Sequence, residues 1–168
     1  TQALRAGIGP FPAAEIALEG TLEQGLARQS AAEVEDGYAA ALANTRALDA
    51  KTGRTTEGPH RTDLKVRHVA RDMAAELCST GEQKALLIAL VLADARMQAA
   101  ERGQTPILLL DEVAAHLDET RRAALYDEIC SLGAQAWLTG TDRHLFEALG
   151  ARAQHFAVRD SDLQRLET

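Results

Sequence analysis

The chain has 168 residues, 46% of them hydrophobic and 26% charged, values of an ordinary globular protein that exclude wholesale disorder and collagen-like structure. A formal charge of -7, from 18 Lys and Arg against 25 Asp and Glu, excludes a generally basic nucleic-acid coat but leaves room for a local basic patch. Aromatic residues make up only 4% and alanine is frequent, as in closely packed helices, and two cysteines, Cys78 and Cys130, are too few for a disulfide framework.

In chain order, residues 11–20 (FPAAEIALEG) alternate Ile16 and Leu18 with Glu15 and Glu19, the pattern of a short strand with one buried face. From Thr21 to about Leu48 the spacing of Leu22, Leu26, Val34, Tyr38 and Leu42 is helical, with a break expected near residues 28–31. Residues 51–60 (KTGRTTEGPH) are polar and aperiodic and read as a connection, which divides the chain into residues 1–55 and 56–168. Leu64, Val66 and His68 then alternate with Lys65 and Arg67 as in a strand.

The second half alternates strands and helices. A turn at residues 78–81 opens a helix to about Arg102, and Pro106 introduces a strand over 107–110. A helix over 119–132, a strand over 135–139, a short helix over 143–149, a strand over 154–158 and an extended piece over 163–166 follow. This order predicts an α/β fold with parallel strands and crossover helices. The longest apolar run, residues 85–93, is closed off by Lys84 and Asp94 and falls short of a membrane span, and no signal sequence opens the chain. A soluble cytoplasmic protein is the expectation.

Two segments carry chemistry. Ile107, Leu108, Leu109 and Leu110 form an unbroken aliphatic run, expected to be buried on both faces, and Asp111 and Glu112 emerge at its C-terminal end. That end is where ligands bind in open α/β sheets, and in phosphate-transferring enzymes the first such carboxylate orders Mg²⁺ while the second polarises the attacking water. The bland reading is a buried strand whose Asp111 caps the next turn. The second segment, Cys78-Ser79-Thr80-Gly81-Glu82-Gln83-Lys84, sets two hydroxyls and a glycine before an apolar helix. It reads as a capping box, or as a glycine-bearing helix start whose N–H groups can approach a phosphate.

Residues 77–87 (LCSTGEQKALL) resemble the signature motif of ABC-type ATPases in its SMC-like variant, although Thr80 stands where the family's first glycine is usual and Cys78 where its leading leucine is. Asp111-Glu112 resembles the Walker B pair, Ala115-His116-Leu117-Asp118 the D-loop, and Thr141 stands at the place of the switch histidine. Gly58-Pro59-His60-Arg61-Thr62-Asp63-Leu64, that threonine and a short helical insert in place of a long coiled coil resemble the RecF family of recombination mediators. The implied architecture is the C-terminal part of an ABC-type (P-loop) ATPase head with a small helical lobe. None of Lys51, Lys65 and Lys84 has the glycine spacing of a Walker A loop. With Thr1 in place of a methionine, a portion of a longer ATPase is expected, inactive alone and slow when whole.

The resemblance implies ATP and Mg²⁺ as cofactors, with ATP bound between two protomers of an ATP-dependent homodimer. Ser79, Thr80, Gly81, Glu82 and Gln83 would cap the γ-phosphate in trans. Asp111 would position Mg²⁺ through water, Glu112 would act as general base, Asp118 would lie at the dimer seam and Thr141 would hydrogen-bond the phosphate or water. It also implies double-stranded DNA near gaps, with RecR, RecO and RecA as partners. Arg61, Lys65 and Arg67, with Arg71 nearby, could contact phosphates, or Lys65 and Arg67 could form a solvated strand face. His68, His116, His144 and His155 read as surface or cap residues, Cys78 as a small buried filler, Trp137 as core, and Arg121 and Arg122 as a solvated helix face. The competing readings are an interaction module for DNA or RecR-like partners without turnover, and another SMC-like or transporter ATPase.

Overall fold

The computed structural model describes Leu4 and residues 7–166. Two compact units divide the chain: Glu15–Arg67, and the residues up to Ala14 together with those from His68 onward. Strand β2, expected with the second half, is counted with the helical region.

In the first unit, strand β1 (Ala14–Glu19) leads into helix α1 (Thr21–Leu26) and helix α2 (Ala31–Thr52). The break between the helices falls where Ser30 caps α2. The Ser30 backbone N–H donates to the Glu33 carboxylate at 2.9 Å, and the Glu33 N–H returns to the Ser30 hydroxyl at 3.4 Å. Gly53 ends α2 in the left-handed conformation (φ 65°), its N–H bonded to the Asp49 carbonyl. Asp49 also accepts from the Thr56 N–H and hydroxyl at 3.0 and 2.8 Å, which orders the polar segment after the helix. Strand β2 (Asp63–His68) lies beside β1. A β-carbon on Gly20 would lie 2.8 Å from the Thr62 hydroxyl, so the turn after β1 needs a glycine for close approach.

In the other unit, the two-residue strand β3 (Met73–Ala74) precedes helix α3 (Thr80–Arg102). Helix α3 buries Ala85, Leu86, Ile88, Ala89, Leu92, Ala93 and Ala95. Small residues on this stripe allow close packing against helix α4 (Glu119–Leu132), which buries Leu125, Tyr126 and Ile129. Arg96 of α3 and Glu128 of α4 form a two-pronged ion pair with both contacts at 2.5 Å. The buried Tyr126 hydroxyl donates to the Leu145 carbonyl at 2.7 Å and ties α4 to the 3₁₀ segment Arg143–Arg152, expected as a short helix.

Strand β4 (Leu108–Leu110) pairs in parallel with β5 (Ala136–Leu138), and α4 forms the crossover between them. The chain closes with an antiparallel hairpin of β6 (His155–Arg159) and β7 (Asp162–Leu166), turned at Asp160 and Ser161, both at positive φ. The parallel arrangement therefore holds for β4 and β5, while a two-residue turn folds the last two strands back on each other.

Burial on β4 and β5 departs from the sequence expectation at two places. Leu108 and Leu110 are buried, but Ile107 and Leu109 are 62% and 76% exposed, because helices cover only one face of the β4–β5 pair among the described residues. Trp137, expected in the core, pairs in register with Leu109 on the uncovered face and is 54% exposed.

Candidate active site

The Asp111-Glu112 pair leaves β4 at its C-terminal end, and both residues are exposed. Glu112 adopts the left-handed conformation (φ 51°, ψ 18°), unusual for a residue with a side chain. The structure brings Thr139, the residue after β5, against both. Its N–H donates to the Leu110 carbonyl at 3.1 Å, its hydroxyl donates to the Asp111 carboxylate, and that hydroxyl accepts the Glu112 N–H at 3.0 Å.

Thr141, which stands at the switch position in the sequence, lies two residues further on, in the exposed turn after β5. The signal for Thr139 is its place directly after β5, beside the strand that bears the carboxylates. Gly140 between the two threonines is close-packed, since a β-carbon there would lie 2.8 Å from the Phe146 ring.

After Glu112 the 3₁₀ segment Val113–His116 buries Ala114 and leads through the buried Leu117 to Asp118. Asp118 caps α4 by accepting the Arg121 N–H at 2.8 Å. Its carboxylate also lies 3.7 Å from the Arg121 guanidinium, and Arg121 and Arg122 are half-buried rather than solvated.

The signature-like loop is built on a second carboxylate. The Glu82 side chain accepts the Ser79 N–H at 3.0 Å and the Ser79 hydroxyl at 2.8 Å, and it pairs with Arg71 at 2.5 Å. The Ser79 hydroxyl, then the Ser79 N–H, hold the Glu82 carboxyl below its ordinary range, with the Arg71 charge adding to this. The Gln83 amide reaches back to the carbonyls of Glu76 and Cys78 at 3.2 and 3.1 Å. Cys78 is buried, its thiol directed at the Ala74 carbonyl at 3.6 Å. Thr80 and Gly81 are exposed, and a β-carbon on Gly81 would meet open space. No described hydrogen bond or ion pair joins this loop to Asp111 or Glu112.

His68, expected at the surface or in a cap, is buried, and its Nδ1 has no hydrogen-bond partner among the described residues. His144 is exposed, and its contact with Glu147 at 2.5 Å, first by hydrogen bond and then by charge, raises its pKa.

The basic residues differ in their partners. Lys65 pairs with Asp63 at 2.9 Å and lies 3.8 Å from Glu19, whereas Arg71 is held by Glu82. Arg61 lines a shallow open concavity of about 430 Å³ with Arg54, Thr55 and His60.

Among the described residues no group of three or more His, Cys, Asp or Glu side chains is arranged to hold a metal ion, and no helix is long and apolar enough to cross a membrane.

No protein-family profile matches the chain. It is 58% identical over 151 residues to the DNA replication and repair protein RecF of Rhizobium johnstonii, a match that covers 90% of this chain and 40% of that protein. The RecF of Rhizobium rhizogenes is likewise 58% identical, over 149 residues and 40% of its length. The chain thus spans about two fifths of the curated relatives it matches.

Among solved structures, the recombination mediator protein RecF-ATPrS in the RecFOR pathway superimposes with a TM-score of 0.66 at 23% identity, over 99% of this chain and 44% of that one. A structure from work on ATP-driven dimerization and DNA-stimulated activation of SMC ATPases superimposes with a TM-score of 0.51 at 16% identity, over 98% and 83%. These likenesses show the fold. By sequence the chain matches a portion of the RecF proteins, and its α/β fold is similar to those of a RecF structure and an SMC ATPase structure.

Proposed function

We propose that the chain supplies the signature and Walker B half of a RecF-type ATPase site for DNA repair. The observation that carries this reading is the bonding of Asp111 and Glu112 to Thr139 at the C-terminal end of a parallel strand pair, where α/β proteins bind ligands. Unit Glu15–Arg67 takes the place of the helical lobe, and the unit carrying α3 to β7 that of the ATPase lobe.

Glu112 is the general base that accepts a proton from the water attacking the γ-phosphate. Asp111 presents a hard, exposed oxygen suited to Mg²⁺, which is held by few carboxylates and keeps several waters. When bound with ATP, Mg²⁺ would neutralise charge developing on the phosphates. The open space at Gly81 admits a phosphate to the start of α3, where the helix dipole favours negative charge. Ser79 has a single hydroxyl proton and donates it to Glu82, so contact with a phosphate in trans requires that proton to change acceptor. Thr80, Glu82 and Gln83 shape this loop, and Asp118 sits at the dimer seam while capping α4. Thr141 cannot take a proton as an imidazole does, and hydrolysis is slow.

In this reading the whole ATPase is cytoplasmic and dimerises with ATP on double-stranded DNA near gaps, assisting RecA with RecO and RecR. Arg61, beside Arg54 and His60, is a better phosphate contact than Lys65, whose charge is matched by two carboxylates. Arg67 remains a candidate on the same strand as Lys65.

The test uses an ATPase that carries this chain together with a phosphate-binding loop. Glu112→Gln should abolish turnover and prolong the ATP-bound dimer, and Ser79→Arg should block ATP-driven dimerisation while the monomer still binds ATP. Unchanged turnover in the first variant removes Glu112 from its role, and dimers in the second remove the trans contact. A second reading, a DNA- or partner-binding module without turnover, is favoured by the lack of a Walker A spacing at any lysine. ATP binding by the isolated chain, compared with the chain joined to such a loop, separates the two.

A further inference from the structure

We infer that Thr139 is the positioning residue of the carboxylate pair: its hydroxyl orients Asp111 and anchors the backbone that presents Glu112. The inference rests on the reading of Asp111 and Glu112 as the metal- and water-handling pair of an ATPase. The parallel register sets Leu110 opposite Leu138, so the residues that follow leave the two strands side by side. The Thr139 N–H extends the ladder one step by donating to the Leu110 carbonyl at 3.1 Å.

Its hydroxyl then has its proton and an acceptor site committed. An ionised carboxylate only accepts, so the proton goes to Asp111 Oδ1, and the oxygen is left to receive the Glu112 N–H at 3.0 Å. One Asp111 oxygen is thereby held while Oδ2 stays available to a hydrated cation. Glu112 sits in the left-handed region, which L residues avoid and which persists where neighbouring bonds over-determine it. The Thr139 bond to its N–H is such a constraint. A valine matches threonine in shape but supplies neither bond, whereas a serine supplies both.

The experiment uses the same phosphate-loop-bearing ATPase and compares Thr139→Val, Thr139→Ser and Glu112→Gln. Loss of a hydrogen bond to a charged group predicts that Thr139→Val lowers kcat by about 10- to 100-fold with the KM for ATP within about twofold of wild type. Thr139→Ser should restore kcat to within about threefold, since it keeps the hydroxyl.

Two readouts do not depend on turnover. In a Glu112→Gln background, Thr139→Val should raise the Mg²⁺ concentration needed for half-maximal binding of a fluorescent ATP analogue, and Thr139→Ser should not. Amide exchange at residue 112 should quicken in Thr139→Val only. Thr139 is exposed, so these variants should melt with the wild type; if Thr139→Val does not, Thr139→Ala takes its place with the same expected results.

Wild-type turnover and Mg²⁺ requirement in the variant lacking the hydroxyl, or a serine variant as impaired as valine, would overturn the proposal. Wild-type turnover in Glu112→Gln would instead overturn the ATPase reading beneath it.

Discussion

Glu82 does several jobs within one turn of helix. It caps the start of α3 through Ser79, balances Arg71, and accepts the Ser79 hydroxyl proton. Because folding lowers its pKa, its contribution to stability is complete above the ordinary glutamate range and is lost as pH falls through the depressed folded value. The melting midpoint of the chain should therefore exceed that of Glu82→Gln most at neutral pH, and the difference should close in acid. A difference that stays constant with pH would remove the ionised carboxylate from the cap.

At this scale the proposed motif residues Ser79, Gly81, Asp111 and Glu112 stand out in the sequence by type and spacing. Thr139 does not, because its bonds reach Asp111 and Glu112 at the end of a neighbouring strand, and periodicity along one strand carries no information about cross-strand bonds. His68 reads as a surface or cap residue but is buried, because alternation marks a strand and not which of its ends the fold covers.

Among the elements, α3 and α4 provide the main packed surface, and Leu125 and Tyr126 are fully buried within it. Leu125→Ala should cost about 2–5 kcal/mol in denaturant unfolding, as for other buried leucines that leave a cavity. Tyr126→Phe keeps the ring and loses only the bond to Leu145, so about 0.5–1.5 kcal/mol is expected in the same measurement. The ion pair between the exposed Arg152 and Asp127 should contribute little by comparison, since surface pairs are worth about 0–1 kcal/mol.

Helix α4 was legible to its ends because Asp118 before it and Gly133 after it are strong local signals, the glycine in the left-handed conformation. The break between α1 and α2 was legible through Ser30. Strand β4 was legible as a strand but not in its burial. A run of four aliphatics is the same string whether one or both faces are covered, and coverage depends on elements distant in the chain.

For the whole molecule, that uncovered face is the consequential feature. Ile107, Leu109 and Trp137 expose large apolar surfaces beside a two-stranded sheet whose edges can pair with other strands. The chain by itself should self-associate with rising concentration, as read by light scattering. Leu109→Lys should reduce that association without lowering the melting midpoint, because the side chain makes little use of the interior. Equal scattering by both proteins would show that this face is not the sticky one. The expectation of a parallel sheet foresaw the strands here, and the bareness of their outer face is what the sequence order left unsaid.

Trp137 gives this face a spectroscopic voice. It is the sole tryptophan of the chain, so intrinsic emission excited at its absorption edge comes from one place, two residues from Thr139. While the ring is solvated its emission should be red-shifted and open to quenching by iodide or acrylamide. Any strand or helix that covers β4 and β5 should shift the emission to the blue and shield it, so the closing of the sheet can be followed in real time without a label.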